Sequence, residues 1–353
     1  MAEPMAERKQ AILRAVTDDY ISTAEPVGSR TIARKYDMGI SPATIRNEMA
    51  DLEEEGYLEQ PHASAGRIPS DKGYRFYVDA LMLGRSISEV EKSRIRAEYG
   101  RRRDEIRSLV RATAKVLGEM SQYASVVVGP AVKGARIHHI QLVPLGSDSV
   151  LVVVVTSSGL VEHRLLAIEH SMTPADLDRL SAVLNDRLRG STLADIRGRI
   201  LRDLQIEVSA YASFLEDMFE LLIDAVRSSD EDRVHIDGLM KLLAQPEFKE
   251  IEKARPILEF LESDGMVLSE LSASSRGGGG RPEISIGSEN SRDELRNCSI
   301  VSAPYGPGGR VIGAIAVVGP TRMDYSMVTA LVGFVAERLS ELLTRLDMHK
   351  STE

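Results

Sequence analysis

Arg46 and Asn47 are adjacent in a stretch whose residue types suit recognition of DNA bases. In the major groove an Arg side chain can form paired hydrogen bonds with the edge of guanine, and an Asn side chain can do the same with adenine. On a helix, at about 100° per residue, Ala43 shares their face and Thr44 lies at its edge. Because a small residue permits close approach, these four residues predict a base-reading surface.

A second group of residues suits contact with the DNA backbone. His62, Ser64 and Arg67 fall in a segment rich in turn-forming residues, where polar side chains of a hairpin can reach phosphates or the minor groove. Other basic residues stand nearby in the sequence, namely Arg30, Lys72 and Arg75. Together they predict a set of flanking contacts beside the base-reading surface.

The base-reading residues require a helix with a defined start. Ser41 is a favourable N-cap, and Pro42 fits the first helical position because its missing N–H has no helical partner there. An apolar stripe follows at i, i+4 and i+7, and Gly56 is placed to end the helix. The stripe consists of Ile45, Met49 and Leu52.

The rest of the N-terminal segment supplies a matching scaffold. An amphipathic helix is expected over residues 7–22, and a short helix capped by Ser29 precedes the base-reading one. Strands at 57–60 and 67–69 enclose the turn-forming segment and predict a hairpin. This order of elements predicts a winged helix-turn-helix DNA-binding domain over residues 1–84. The alternative is a protein-interaction module built from the same elements.

Charge narrows the DNA-binding hypothesis to one side of this domain. Residues 1–76 contain 10 Lys plus Arg against 13 Asp plus Glu, so the domain is not basic as a whole. Affinity for phosphates needs local positive charge. Acidic residues concentrate at 51–55, toward the end of the base-reading helix, whereas the cations lie elsewhere. We therefore expect a cationic groove-facing side and an acidic back.

These segments resemble a known family, the heat-inducible transcription repressors HrcA. The resemblance is carried by PVGSRTIA at residues 26–33, SPATIRNEMADLEEEGYLEQPHASAGRIPSDKGYRFYVD at 41–79 and VVGPTRMDY at 317–325. It implies a repressor that binds an inverted-repeat operator, the CIRCE element, upstream of chaperone operons, with activity dependent on the GroE chaperonin (GroEL with GroES). It also implies a recognition role for Ser41 beside Thr44, Arg46 and Asn47, and a wing role for His62, Ser64 and Arg67.

The remaining chain predicts a multi-domain α+β protein. We expect a helical linker at 85–122, a strand-rich block at 123–199, a mostly helical block at 200–275 and a second strand-rich block at 276–353 that ends in a long helix. Two strand-rich blocks around a helical one indicate a single α/β domain interrupted by an insertion. The family resemblance implies that this is a GAF-like domain carrying an inserted dimerizing domain. A reader of inverted repeats also needs two-fold symmetry, which predicts a homodimer.

Composition excludes several other classes of protein. The chain has 353 residues, a net charge of −9 and one cysteine, Cys298, so an intramolecular disulfide and a multi-cysteine metal site are excluded. The most hydrophobic run, 150–155, is too short to span a bilayer, which predicts a cytoplasmic protein without membrane attachment.

Two features could suggest other chemistry but support none. The glycine-rich run at 276–282 lacks the Lys-Ser/Thr of a phosphate-binding loop. His138 and His139 are adjacent in a predicted strand and point to opposite faces, which disfavours a shared metal. We therefore expect no cofactor, no metal and no enzymatic activity. The alternative function is a regulator that senses a small molecule through its GAF-like domain.

Overall fold

The computed structural model describes residues 5–100, 106–130, 136–145, 149–156, 161–167, 172–191, 233–274 and 281–350. The chain begins with three helices, α1 (Glu7–Thr23), α2 (Ser29–Lys35) and α3 (Pro42–Glu54). Aliphatic residues at helical spacing give each helix an apolar stripe, and the stripes meet in one core. This core includes Ile12, Leu13, Val16, Ile32, Ile45, Met49 and Leu52.

A short hairpin follows α3. Strand β1 (Leu58–Glu59) pairs antiparallel with β2 (Ile68–Pro69). Val27, ahead of α2, forms a backbone bridge with Arg67, so the loop between α1 and α2 extends the hairpin by one more segment. The helices and the hairpin predicted from the sequence are therefore present in the predicted order. We call residues 5–81 the head.

The head continues into helices that lead to the rest of the chain. Helix α4 (Asp71–Phe76) starts at Ser70, whose Oγ accepts a hydrogen bond of 3.0 Å from the Gly73 amide. A π-helical turn at Tyr77–Leu81 closes the head. Helices α5 (Glu89–Gly100) and α6 (Ile106–Ser121) follow, within the range predicted to be a helical linker.

Beyond α6, groups of strands are separated by helices. They are β3 (Ala124–Val128), β4 (Ile137–Pro144), β5 (Ser149–Thr156), β6 (Val161–Ala167), α7 (Pro174–Leu188), β7 (Val234–Asp237), α8 (Leu239–Leu243), α9 (Ile251–Glu262), α10 (Asp264–Ser274), β8 (Glu283–Ile286), β9 (Cys298–Tyr305), β10 (Gly313–Pro320) and α11 (Tyr325–Lys350). Ten described strands therefore form three sheets: the head hairpin, a five-stranded sheet and a three-stranded sheet.

We call the described residues beyond residue 81 the body. Its five-stranded sheet is covered by helices on both faces. Its strand order is β7-β3-β10-β9-β8, and all neighbours are antiparallel. Alternate residues of a strand point to opposite faces. In β3, Val126 packs with helices α8 to α10, whereas Val127 packs with α6 and α11. The sheet is thus sandwiched between two helical layers.

The three-stranded sheet is a separate unit. Its order is β4-β5-β6, and α7 packs against β4. Asn185 of α7 fixes this packing, because its side chain accepts a hydrogen bond of 2.8 Å from the Ile140 amide and donates one of 2.6 Å to the Ile140 carbonyl.

The predicted division of the body is wrong in two respects. The strands expected at 137–167 do not join the C-terminal strands: they pair only with one another, and the neighbours of β3 are β7 and β10. Residues 234–274, assigned to the insertion, instead supply β7 and the helices of one sheet face. The predicted insertion helices between residues 200 and 232 and the glycine-rich run up to residue 280 lie outside the described residues.

The head and the body are joined by polar contacts. Arg322, in the turn between β10 and α11, donates to the Ile21 carbonyl of α1 at 2.8 Å and pairs with Glu247 of the body at 2.6 Å. Asp71 of α4 accepts a 2.8 Å hydrogen bond from the Ser288 amide. Among the described helices, none is both long enough and apolar enough to span a bilayer.

Candidate nucleic-acid interface

Helix α3 is held in place by its cap and by its buried stripe. The Oγ of Ser41 accepts a hydrogen bond of 3.1 Å from the Thr44 amide, which satisfies one of the free N–H groups at the helix start. Ile45, Met49 and Leu52 are at most 4 % exposed and anchor the helix on α1 and α2. One side of the helix is therefore packed against α1 and α2, and the opposite side is free to contact another molecule.

The opposite side of α3 presents the predicted base-reading residues to solvent. Ser41, Ala43, Arg46 and Asn47 are exposed, and Thr44 is half-buried with its Oγ1 2.9 Å from the Ser41 Oγ. Within the described part of the chain, the side chains of Arg46 and Asn47 form no hydrogen bond or ion pair. Their donors and acceptors are thus available for an external ligand, as reading of base edges requires.

Free cations also lie on α2, the helix that packs against α3. Arg30 at the start of α2 and Arg34 at its end are exposed, and neither has an ion-pair partner among the described residues. With Arg46 they give three unpaired guanidinium groups on two successive helices. Such local charge is what affinity for phosphates needs in a chain of net charge −9.

The acidic residues of α3 are paired on the other side of the head. Glu48 pairs with Arg8 of α1, and Lys9 of α1 lies 3.3 Å from Asp51 and 2.5 Å from Glu55. The hydrogen bond with Glu55 is the main reason that the pKa of Lys9 is raised. Internal cations therefore neutralise much of the acidic cluster, and the predicted charge asymmetry is present.

The tip of the hairpin is organised by one side chain. Gln60 donates from Nε2 to the carbonyls of Ala63 and Ala65, at 3.1 and 3.0 Å. His62 and Ser64 lie on this tip and are exposed. The role of Gln60 is not evident from its sequence position, because the contact depends on how the tip is folded.

The close approach of Val27 to the hairpin requires Gly66. A Cβ atom at this position would lie 2.4 Å from the Val27 carbonyl oxygen, closer than real Cβ contacts. The Arg67 amide donates to that same carbonyl at 2.8 Å, which keeps the two segments together. The absence of a side chain at Gly66 thus lets the hairpin lie close to the segment that precedes α2.

Three of the predicted flanking cations have partners inside the protein, which corrects their assignment. Arg67 pairs with Glu53 at 2.8 Å, and its side chain is 19 % exposed. Lys72 donates to the Glu55 carbonyl at 2.7 Å, at the end of α3. These two cations brace the hairpin and α4 against the end of α3.

Arg75 is the clearest correction, because it faces the body. Its Nε donates to Glu289 at 2.7 Å, its Nη2 donates to the Ile284 carbonyl at 2.7 Å, and it also reaches Asp79 at 3.3 Å. The hydrogen bond with Glu289 raises the pKa of Arg75. A guanidinium held in this way is a head-to-body contact and is removed from the set of proposed DNA contacts.

Comparison with known proteins identifies the family. The family model described as HrcA protein C terminal domain matches residues 107–329. A heat-inducible transcription repressor HrcA of Desulforudis audaxviator is 46% identical over 340 residues, which is 96% of this chain and 98% of the relative. The HrcA of Pelotomaculum thermopropionicum is 43% identical over 343 residues, covering 96% and 97% of the two chains.

A solved structure shows the same fold over nearly the whole chain. It is the crystal structure of a hypothetical protein, with a TM-score of 0.70 and 23% sequence identity, and the match covers 96% of this chain and 99% of that chain. The sequence relatives, which match at both ends as well as across the body, decide the assignment. The chain therefore belongs to the HrcA family of heat-inducible transcription repressors.

Proposed function

We propose that this repressor binds an inverted-repeat operator through the exposed face of α3, with the hairpin tip contacting the adjacent backbone. The observation that carries the proposal is the set of exposed, unpaired side chains on the two adjacent helices α2 and α3, formed by Arg30, Arg34, Arg46 and Asn47. Cations without internal partners can bind phosphates at little internal cost, and Asn47 can read a base edge. Repression needs no chemical reaction, and the protein acts as a regulator and not as an enzyme.

The contact proposed for each residue depends on its position in the head and on whether its side chain has a partner inside the protein. Ser41, Ala43, Thr44, Arg46 and Asn47 face the bases or the phosphates beside them. His62 and Ser64 contact the backbone from the hairpin tip, and Arg30 contacts it from the start of α2. Arg67 and Lys72 act indirectly, because they hold the hairpin against α3.

A homodimer is the second part of the proposal. An inverted repeat presents two half-sites related by two-fold symmetry, and a symmetric dimer matches them. The three-stranded sheet supports a role in this contact, because Leu145, Val161 and Leu165 are 55%, 48% and 59% exposed. Apolar side chains gathered on one small sheet are typical of surfaces that a second protein covers. We assign dimerization to the unit that contains this sheet.

The body then fits a GAF-like domain with an insertion, with revised boundaries. A five-stranded antiparallel sheet covered by helices on both faces is consistent with that architecture. The described residues at 123–130, 233–274 and 281–350 form the GAF-like domain, and the insertion starts at about residue 136 instead of 200. The insertion leaves the sheet after β3 and the chain returns at β7.

The proposed response to heat depends on the thermal stability of the dimer. We propose that the operator is CIRCE, and that warming exposes apolar surface and depletes the DNA-competent dimer. While the GroE chaperonin is free, it restores the DNA-competent dimer. When other unfolded proteins occupy the chaperonin, the dimer is not restored. Binding to operator DNA and to the chaperonin requires the repressor to be in the cytoplasm.

A mobility-shift titration tests the proposal. The wild-type protein is titrated against an intact inverted repeat, the same DNA with one half-site scrambled, and the same DNA with a changed half-site spacing. We expect tight binding only to the intact repeat, because a dimer needs both half-sites in register. Equal affinity for all three DNAs would refute sequence-specific binding by a symmetric dimer.

The chaperonin is tested in the same assay after a heat step. We expect heated protein to lose operator affinity and to recover it when GroEL, GroES and ATP are added. Full affinity after heating without chaperonin would contradict the proposed mechanism. The alternative, control by a small molecule bound to the GAF-like domain, predicts that a compound and not chaperonin changes the affinity of unheated protein.

A further inference from the structure

A partly open cleft of about 310 Å³ lies along the outer edge of the five-stranded sheet, between strands β8 and β9 and helix α10. Glu283 and Ser285 of β8 line it together with Ser302 of β9, because Glu283 is paired with Ser302 in the sheet. Glu289 and Asn290, in the turn after β8, complete this part of the wall. The side chains that line the cleft offer mainly hydrogen-bond acceptors.

Two of these acceptors have no donor among the described residues. Glu283 forms no ion pair or hydrogen bond with another described side chain. The Oδ1 of Asn290 is buried without a donor, in a residue that is 7% exposed. Its Nδ2 lies 2.9 to 3.0 Å from three backbone carbonyl oxygens, so the amide orientation is fixed. A buried acceptor without a donor is costly, and a bound donor would remove that cost.

The chemistry of the residues that line the cleft indicates which class of ligand it can bind. Carboxylates and amide or hydroxyl oxygens favour a positively charged group with several N–H donors. A metal ion fits less well, because no three His, Cys, Asp or Glu residues converge as ligands within the described parts of the chain. The volume is at the small end of ligand sites, and Ile300 offers apolar contact for a short alkyl chain. These features suit a small organic amine or guanidine.

Glu289 connects this cleft to the head. It lines the cleft and also accepts the hydrogen bond from Arg75 of α4. We propose that the cleft binds a small organic cation with an ammonium or guanidinium group, which competes with Arg75 for Glu289. Occupation of the cleft then weakens one of the contacts that hold the head on the body. By linkage, weakening that contact strengthens binding of the cation by the same factor.

Calorimetric titration of the full-length protein with agmatine tests both parts. Agmatine carries a guanidinium and an ammonium group on a butyl chain. We expect saturable binding to the wild type and binding at least about tenfold weaker to Glu283→Gln, which removes one charged acceptor. Glu262→Gln is the matched control, because Glu262 is an exposed acid of α9 outside the cleft. This control should bind agmatine as the wild type does.

The competition is tested with Arg75→Ala, in which Glu289 is free for the ligand. We expect this variant to bind agmatine several-fold more tightly than the wild type. No saturable binding to either protein overturns the site, and equal weakening in Glu283→Gln and Glu262→Gln shows general attraction to an acidic protein. Binding to Arg75→Ala no tighter than to the wild type overturns the coupling. The titration contains no DNA, so its outcome is independent of operator binding.

Discussion

Replacing Arg322 with Met is expected to destabilise the junction between the head and the body. The Arg322 side chain is 9% exposed and binds three residues from two separate parts of the chain. Its Nε and Nη2 contact Glu247 at 2.6 and 3.2 Å, Nη2 contacts Gln245 at 3.1 Å, and Nη1 contacts the Ile21 carbonyl at 2.8 Å. Met fills a similar volume but offers no donor to any of these oxygens.

The expected loss follows from the groups left without partners. Removing one member of a buried ion pair costs about 3–5 kcal/mol, because the other charge stays in a poorly solvated site. Glu247 keeps 23% side-chain exposure, which places the loss near the lower end, at about 3 kcal/mol. With a urea dependence of about 3 kcal/mol/M for a chain of this size, the unfolding midpoint should fall by about 1 M.

Urea unfolding followed by circular dichroism and tyrosine fluorescence measures this shift. Arg310→Met is the matched control, because Arg310 is exposed and its side chain has no partner among the described residues. We expect the control to unfold as the wild type does. If both variants unfold at the same urea concentration, the account of Arg322 as the junction between head and body is refuted.

Three further predictions follow from individual contacts. Gly66→Ala should lower the thermal unfolding midpoint, because the added Cβ would lie 2.4 Å from the Val27 carbonyl oxygen and separate the hairpin from that segment. Gly84→Ala, which has open space around the added Cβ, should unfold at the same temperature as the wild type. Burial raises the pKa of Cys298 to about 12, so the thiolate form is lost below that pH, and the native protein at pH 8 should react with a thiol reagent only after unfolding. Arg67→Ala should lower stability and operator affinity together, because it frees the hairpin from α3; unchanged stability would contradict its bracing role.

Local signals in the sequence predicted most of the head. Ser41 and Pro42 define the start of α3 because capping depends only on neighbouring residues, and the cap is present. The exposed position of Arg46 and Asn47 followed from helical periodicity alone. The strand-rich block that contains β3 to β6 was also predicted, because runs of apolar β-branched residues favour strands.

Contacts between distant residues could not be predicted in the same way. Arg75 was assigned to DNA because it is basic, but its partner Glu289 lies 214 positions away. Nothing in the local sequence distinguishes a cation that faces DNA from one that faces a carboxylate of another domain. The strand β7 was missed because it is only four residues long and lies in a block predicted to be mostly helical, and its pairing with β3 decides which residues form the body.

The central claim is that the exposed face of α3 reads bases, and one measurement tests it most directly. Affinities of wild type, Arg46→Ala, Asn47→Ala and the control Arg310→Met are measured on the operator and on a set of operators with single base-pair changes. We predict that Arg46→Ala and Asn47→Ala each lose about 1–3 kcal/mol of discrimination at one base pair, and that the control loses none. An equal loss of affinity on operator and random DNA, with discrimination intact at every position, would contradict the account.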